Sequence, residues 1–240
     1  MKTSLFFAAG VLLLPTLTTA VVDISWNVSN VPASGLTHIG FPFSIAKAPH
    51  EIGYFFLQQF TFVNDEPHIS GQIGLQPRPD SSKNGFTIGA VFSSYIPDAT
   101  TNDTNCHIGA RGGAGVTCSV DFLGWYDAGY TLHVYKARGT MWTATVVNNK
   151  TDLETHVGSY TLPSDKGGIA GSQQGFVEYT PWDPGSPTYT SVTFETPVTV
   201  TPGSEGSLGD AREYGVARGR LTFRVRGLQK GLKSALGSNK

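Results

Sequence analysis

The chain has 240 residues and a formal net charge of −1, with only 15% charged residues. It holds 29 glycines and 14 prolines, and beyond the first twenty residues no stretch carries a 3.6-residue apolar period, which excludes a helical protein. Thr, Val, Tyr and Phe dominate between the glycines, as strands between turns require. The composition therefore predicts an all-β fold, an antiparallel β-sandwich of jelly-roll type.

The N-terminal segment predicts export. Lys2 provides a positive start, residues 5–14 form a short apolar run, and Thr18, Thr19 and Ala20 provide the small residues of a cleavage site. The run is too short to span a bilayer, and no second long apolar run follows. We therefore predict a signal peptide over 1–20, no transmembrane segment, and a secreted, extracellular protein with a single sandwich domain over 21–226.

Turn signals recur about every ten residues, the spacing typical of a sandwich. An aromatic-rich run at 54–63 is predicted as a central strand that is buried on both faces. Gln58 and Gln59 lie in that run and are candidates for polar groups on a sheet surface. The remaining predicted strands are 22–28, 71–75, 85–95, 117–123, 130–137, 141–147, 156–162, 168–179, 188–195 and 221–225.

Residues 106–127 hold both cysteines, and five glycines lie among them. Two cysteines in an exported chain pair most simply with each other, so we predict a disulfide between Cys106 and Cys118 that closes a surface loop. Arg111 is isolated among the glycines of that loop. The spacing of these glycines is not that of a phosphate-binding or dinucleotide-binding loop.

Three sequons agree with export, and their asparagines, Asn27, Asn102 and Asn149, are predicted glycosylation sites on the surface. The C-terminal part is basic: residues 212–240 contain eight lysines and arginines against one acid, Glu213. A basic edge strand and a flexible tail over 227–240 explain this segment, and a patch for acidic glycans or membranes is the alternative. Nucleic acid is not expected, because no aromatics alternate with these charges.

No catalytic motif is present. The six histidines are scattered, no Gly-x-Ser-x-Gly occurs, and neither a metal nor a cofactor is predicted. Glycosidases need two carboxylates that face each other across a cleft, and three acids lie on predicted strands: Asp121, Glu178 and Glu195. A polysaccharide-cleaving enzyme with acid/base carboxylates on a concave sheet is therefore the alternative hypothesis.

The first hypothesis is a non-catalytic protein that recognises a carbohydrate, a cell wall or a host surface. Sugar binding needs flat aromatics beside hydrogen-bonding groups, and two turns supply them. Trp125 and Trp182 lie outside the alternating strand patterns, whereas Trp142 shares a face with Ala144 and Val146 and is predicted as core. The predicted ligand residues are Trp125, Tyr126, Asp127, Tyr179, Trp182, Asp183 and Arg111.

Residues 53–162 carry a run of features in a recognisable order: the aromatic strand, Gly74-Leu75-Gln76, Gly89-Ala90-Val91-Phe92-Ser93, the glycines 109–115 and an Ala128-Gly129-Tyr130 turn. In this order the segment resembles a family of secreted all-β domains of unknown function, found in bacteria and fungi beside carbohydrate-related modules. The resemblance implies the fold and assigns no activity. Family members often carry an acid among those glycines, where this chain has Ala110 and Arg111.

Overall fold

The computed structural model describes residues 19–65, 68–81, 85–180, 190–213, 222–228 and 231–237, and the side chains only from 22 to 212 within these ranges. Two antiparallel sheets form a β-sandwich. One has eight strands, in the order β13-β1-β11-β3-β4-β5-β7-β6. Their bounds in chain order are β1 Thr19–Val28, β3 Tyr54–Phe60, β4 Gly71–Pro77, β5 Thr87–Ser94, β6 Cys106–Ala110, β7 Gly113–Leu123, β11 Ser172–Tyr179 and β13 Gly206–Glu213.

The second sheet has seven strands, in the order β10-β9-β8-β2-β12-β15-β14. Their bounds are β2 His38–Ser44, β8 Gly129–Arg138, β9 Met141–Asn148, β10 Glu154–Thr161, β12 Thr190–Glu195, β14 Thr222–Leu228 and β15 Gly231–Gly237. The all-β sandwich expected from composition and turn spacing is confirmed.

The main core lies between the sheets and is rich in aromatics. Trp26 packs edge-on against Phe41, and Phe92 stacks on Tyr160 across the interface. Trp142 is 1% exposed, which confirms it as a core residue. Large aromatics fill such a core because each buries a large apolar area at the cost of few rotatable bonds.

Strand β3 is buried along its whole length, as predicted. Because side chains alternate across a strand, Phe56 and Phe60 point into the main core, and Phe55 and Leu57 point to the opposite face. A small second apolar cluster forms there, on the outer face of the eight-stranded sheet. This outer face is the surface on which the candidate site lies.

Residues 106–118 form a hairpin, which corrects the predicted glycine-rich surface loop. Strands β6 and β7 pair directly, with Cys106 opposite Cys118 and Ala110 opposite Gly113. The predicted disulfide joins the two cysteines. Arg111 and Gly112 form the two-residue turn, and both have positive φ, 47° and 77°. Positive φ at both central positions is the requirement of a type I′ turn, whose twist matches that of paired strands.

Most predicted strands are present, but β2, β6, β13 and β15 were missed. Pro42 argues against a strand interior at β2, because proline has no N–H to donate to a neighbouring strand. However, β2 pairs with β12 only at Phe43 and Ser44, so no hydrogen bond from residue 42 to β12 is required. Strand β15 pairs with β12 and β14 and lies within the predicted tail. The signal peptide, the domain limits and the tail stay predictions. In the described part of the chain, no helix has the length and apolar character needed to cross a membrane.

Candidate functional site

A cavity of about 340 Å³ opens on the outer face of the eight-stranded sheet. This lies within the usual size of a small-molecule or substrate pocket. Its lining combines apolar, amide and charged groups and consists of Ile52, Gly53, Tyr54, Phe55, Gln72, Gln76, Arg78, Arg111, Glu178 and Thr180. We call this cavity the outer-face pocket.

Strand pairing places the polar groups of this pocket. Glu178 on β11 lies opposite Phe55 on β3, and Gln72 on β4 lies opposite Gln59 on β3. Glu178 and Gln72 therefore both point outward, two strands apart, from neighbouring regions of the same face. Between them lies an apolar floor that consists of Phe55, Leu57 and Phe176, with Val91 packed against it.

Arg111 brings the two polar side chains together. Its Nη2 donates to Gln72 Oε1 at 2.8 Å and to Glu178 Oε1 at 3.2 Å. The carboxylate and the amide oxygen therefore lie within about 6 Å of each other. The guanidinium also sits 5.4 Å from the ring centroid of Tyr95, a cation–π distance. The hairpin tip thus projects a cation over the outer face.

The carboxyl of Glu178 is largely withdrawn from water, with 12% of its side chain exposed. This burial raises the pKa of Glu178 above its usual value, and the charge and hydrogen bond of Arg111 offset only part of that rise. Burial also raises the pKa of Tyr95, while Arg111 lowers it. A partly buried carboxyl with a raised pKa is well suited to give and take protons near mildly acidic pH.

A second arginine, Arg78, also lines the outer-face pocket. Arg78 donates from Nη2 to Gln76 Oε1 at 2.8 Å and from Nε to Asp121 Oδ1 at 3.1 Å.

Asp121 and Glu178 share one row across the sheet, but β3, β4 and β5 lie between their strands, a separation of about 19 Å at the usual strand spacing. Glu195 is exposed at the end of β12 in the other sheet. The three predicted carboxylates therefore do not form a glycosidase pair.

The described members of the predicted aromatic platform lie in different settings. Trp125 is 62% exposed and touches Phe86 edge-on, but Tyr126 is buried, with its hydroxyl donating to Thr87 and accepting from the Arg78 N–H. Asp127 pairs with Lys150 on the surface.

Tyr179 packs against Tyr54 rather than outward beside Trp125, and Trp182 and Asp183 lie outside the described residues. Among the predicted ligand residues that the structure describes, Arg111 is the one that lines the outer-face pocket. The three sequon asparagines are exposed, and their glycosylation stays a prediction.

Sequence reasoning missed Gln72. A glutamine has no motif of its own, but the alternation in GQIGLQP places Gln72, Gly74 and Gln76 on one face of β4, which was the available signal. Gln58 and Gln59 are the predicted polar groups of the sheet surface. Gln59 lies on the outer face, 5% exposed, whereas Gln58 points inward against Gly175. Within the described ranges, no group of three histidine, cysteine or acidic side chains is arranged to hold a metal ion.

Neither the family models nor the curated proteins include a match to this chain, so the resemblance to the secreted domains of unknown function stays a prediction. Among solved structures, the chain is similar to scytalido-glutamic peptidase with a transition-state analogue inhibitor, at 11% identity and a TM-score of 0.49, over 91% of this chain and 98% of that one. It is also similar to SCP-B, a member of the eqolisin family of peptidases, in complex with the tripeptide Ala-Ile-His. That match has 9% identity and a TM-score of 0.46, over 93% and 100% of the chains.

The predicted non-catalytic recognition of carbohydrate is wrong. The solved structures of similar architecture are peptidases, and the outer-face pocket holds a carboxylate beside an amide. A glycan partner is likewise unsupported. At these identities and TM-scores the similarity concerns the sandwich itself, and the chemistry has to be argued from this chain's own residues.

Proposed function

We propose that the protein is a hydrolase that cleaves peptide bonds in the outer-face pocket, with Glu178 as general acid/base and Gln72 as the amide that binds the developing oxyanion. One observation carries the proposal: a largely buried carboxylate and a buried amide converge on one point, the Nη2 of Arg111, at the edge of a cavity. Enzyme sites are where such desolvated carboxyls occur beside hydrogen-bond donors.

The residues suffice for a balanced reaction. Glu178 takes a proton from a water molecule as the water oxygen bonds to the substrate carbonyl carbon, and the carbonyl π electrons move to the oxygen. The Nε2 of Gln72 donates to that oxyanion. The protonated Glu178 then gives its proton to the amide nitrogen as the C–N bond breaks, which releases an amine and a carboxylic acid and returns the carboxylate.

A peptide is the substrate class that best suits this surface. Gln59 and Gln72 lie opposite each other on β3 and β4, Gln174 precedes Gly175, which pairs with Gln58, and these amides offer both donors and acceptors. An extended peptide presents one N–H and one C=O per residue, which such amides can bind. Phe55, the member of the apolar floor that lines the pocket, would contact substrate side chains.

We also propose that the protein acts outside the cell. The Cys106–Cys118 disulfide is typical of oxidising compartments, and the predicted signal peptide agrees with that location. The raised pKa of Glu178 places the ascending limb of activity above pH 4.5, the ordinary value of a glutamate. We expect activity to increase as the pH rises through that limb.

The test is cleavage of an unfolded protein by the purified mature chain between pH 3 and 7, with the products identified by mass spectrometry. Glu178→Gln should lower kcat by about 10²- to 10⁴-fold, the usual contribution of a general acid/base. Gln72→Ala should lower it by about 10²- to 10³-fold, the usual loss of one oxyanion donor.

Glu195→Gln is the matched control, because this exposed acid lies in the other sheet and its replacement removes the same charge. It should retain wild-type activity. Cleavage by Glu178→Gln at the wild-type rate, or no cleavage by the wild type at any pH, would refute the proposal.

A further inference from the structure

Arg111 makes contacts that a surface arginine in a turn does not need. Its guanidinium meets three different groups: the Gln72 amide, the Glu178 carboxylate and the Tyr95 ring. The arginine side chain remains 51% exposed, so one side faces the site and the other faces solvent. These groups lie on β4, on β11 and directly after β5, so Arg111 joins elements that no other described ion pair joins at this pocket.

The hairpin is built to hold this side chain in place. Arg111 is one of five described non-glycine residues with positive φ, a conformation that costs a side chain with a Cβ about 1 kcal/mol or more. A glycine would fit the turn without that cost. The disulfide between Cys106 and Cys118 and the pairing of β7 with β5 anchor the base of the hairpin on the sheet.

The contact with Gln72 fixes the orientation of an amide. Gln72 is 5% exposed, and its Oε1 accepts from Arg111, which turns its Nε2 away from the guanidinium. With a hydrogen-bond acceptor in place of Arg111, the Gln72 amide would be more stable rotated, with its Nε2 donating to that acceptor. Arg111 therefore determines that the Gln72 side chain offers a donor, rather than an acceptor, to the pocket.

The contact with Glu178 fixes one carboxylate oxygen. Oε1 accepts from Arg111, and among the described residues none donates to Oε2. The second oxygen is thus left to hold a water. The nearby positive charge also favours the ionised form of this buried carboxyl, which is the form a general base requires.

We propose that Arg111 is a positioning residue for the proposed peptide hydrolysis, which orients the Gln72 amide as a donor and keeps the Glu178 carboxylate ionised and aimed at water. The inference rests on the proposed function and adds to it a third residue, delivered by the β6–β7 turn. Arg111 acts through Gln72 and Glu178 and does not itself exchange a proton.

The test compares Arg111→Gln and Arg111→Lys with the wild type. Arg111→Gln should lower kcat by about 10-fold or more and shift the ascending limb of kcat/KM to higher pH, because Glu178 loses the charge that favours its ionised form. Arg111→Lys should keep the limb near its wild-type pH, since the charge remains, but recover kcat only partly, because an ammonium lacks the planar fork of a guanidinium. Arg138→Gln, on the exposed end of β8, is the charge-matched control and should match the wild type.

A measurement that does not need activity separates this inference from the proposed function. Carboxyl carbon NMR should show the pKa of Glu178 rising in Arg111→Gln and remaining near wild type in Arg111→Lys. If these shifts occur while the wild type cleaves no peptide, the contact is real and the proposed function is what fails. An unchanged Glu178 titration in a folded Arg111→Gln protein, or higher activity of that variant, overturns the positioning role.

Discussion

Breaking the Cys106–Cys118 disulfide should destabilise the sandwich measurably. The two residues are 12 apart in sequence, and closing a loop of this length contributes about 3 kcal/mol in the chain-entropy model. Reduction leaves both sulfur atoms in place, so packing volume is almost conserved. For a domain of roughly 200 residues, about 3 kcal/mol corresponds to a fall in Tm of about 6–12 °C.

The bond also anchors the strand that leads to Arg111. Strand β6 is at the edge of the sheet and pairs only with β7 among the described strands, and the disulfide packs against Gly158 of β10. Scanning calorimetry with and without reductant measures the effect, with mass analysis to confirm that both thiols are free. A fall in Tm of less than about 2 °C in fully reduced protein would refute the reasoning, because loop closure would then contribute almost nothing.

Two neighbouring aromatics should respond in opposite ways. Trp125→Ala should change the unfolding free energy by less than about 1 kcal/mol, because the ring is 62% exposed. Tyr126→Phe should cost about 1–3 kcal/mol, because it leaves the Arg78 N–H and the Thr87 carbonyl without their buried partner. Urea titration of both variants checks the pair, and an equal loss in the two would contradict the assigned burial.

Alternation along the chain was enough to predict most strands, but it could not predict which strands meet. Glu178 was identified as a candidate acid and Arg111 as a candidate ligand residue, each from its local setting. Their contact depends on β11 pairing with β3, more than a hundred residues away, and on a hairpin where the glycines predict a loop. Glycines hid β6 and the first residues of β7, because a glycine-rich segment lacks the side chains that reveal a two-residue period.

Gln72 illustrates the other limit. A glutamine carries no charge and no motif, so its role depends on which groups the fold places next to it. Trp125 illustrates a related limit: an aromatic in a polar turn indicates exposure, which the structure has, but exposure alone does not define a binding surface, so its role as a ligand residue stays a prediction. The chemistry that we propose depends on side chains from β4 and β11 and from the turn between β6 and β7.

The pair of His38 and His133 should make the sandwich less stable in acid. The two rings stack, with His38 Nε2 2.9 Å from His133 Nδ1, and His38 Nδ1 is buried without a hydrogen-bond partner in the described structure. Burial, and secondarily the charge of His133, lowers the pKa of His38 from 6.5 to about 4. Burial lowers that of His133 as well, against the opposing charge of Glu154.

Between pH 6.5 and about 4, the unfolded chain therefore binds more protons than the folded chain at these sites. The unfolding free energy should fall as the pH drops through that window and should be insensitive to these groups above it. His38→Gln should flatten the pH dependence of Tm between pH 7 and 4, while His107→Gln, at an exposed position on β6, should leave it as in the wild type. If both variants lose stability with falling pH as steeply as the wild type, the His38–His133 contact does not control acid stability, and the loss must come from other groups.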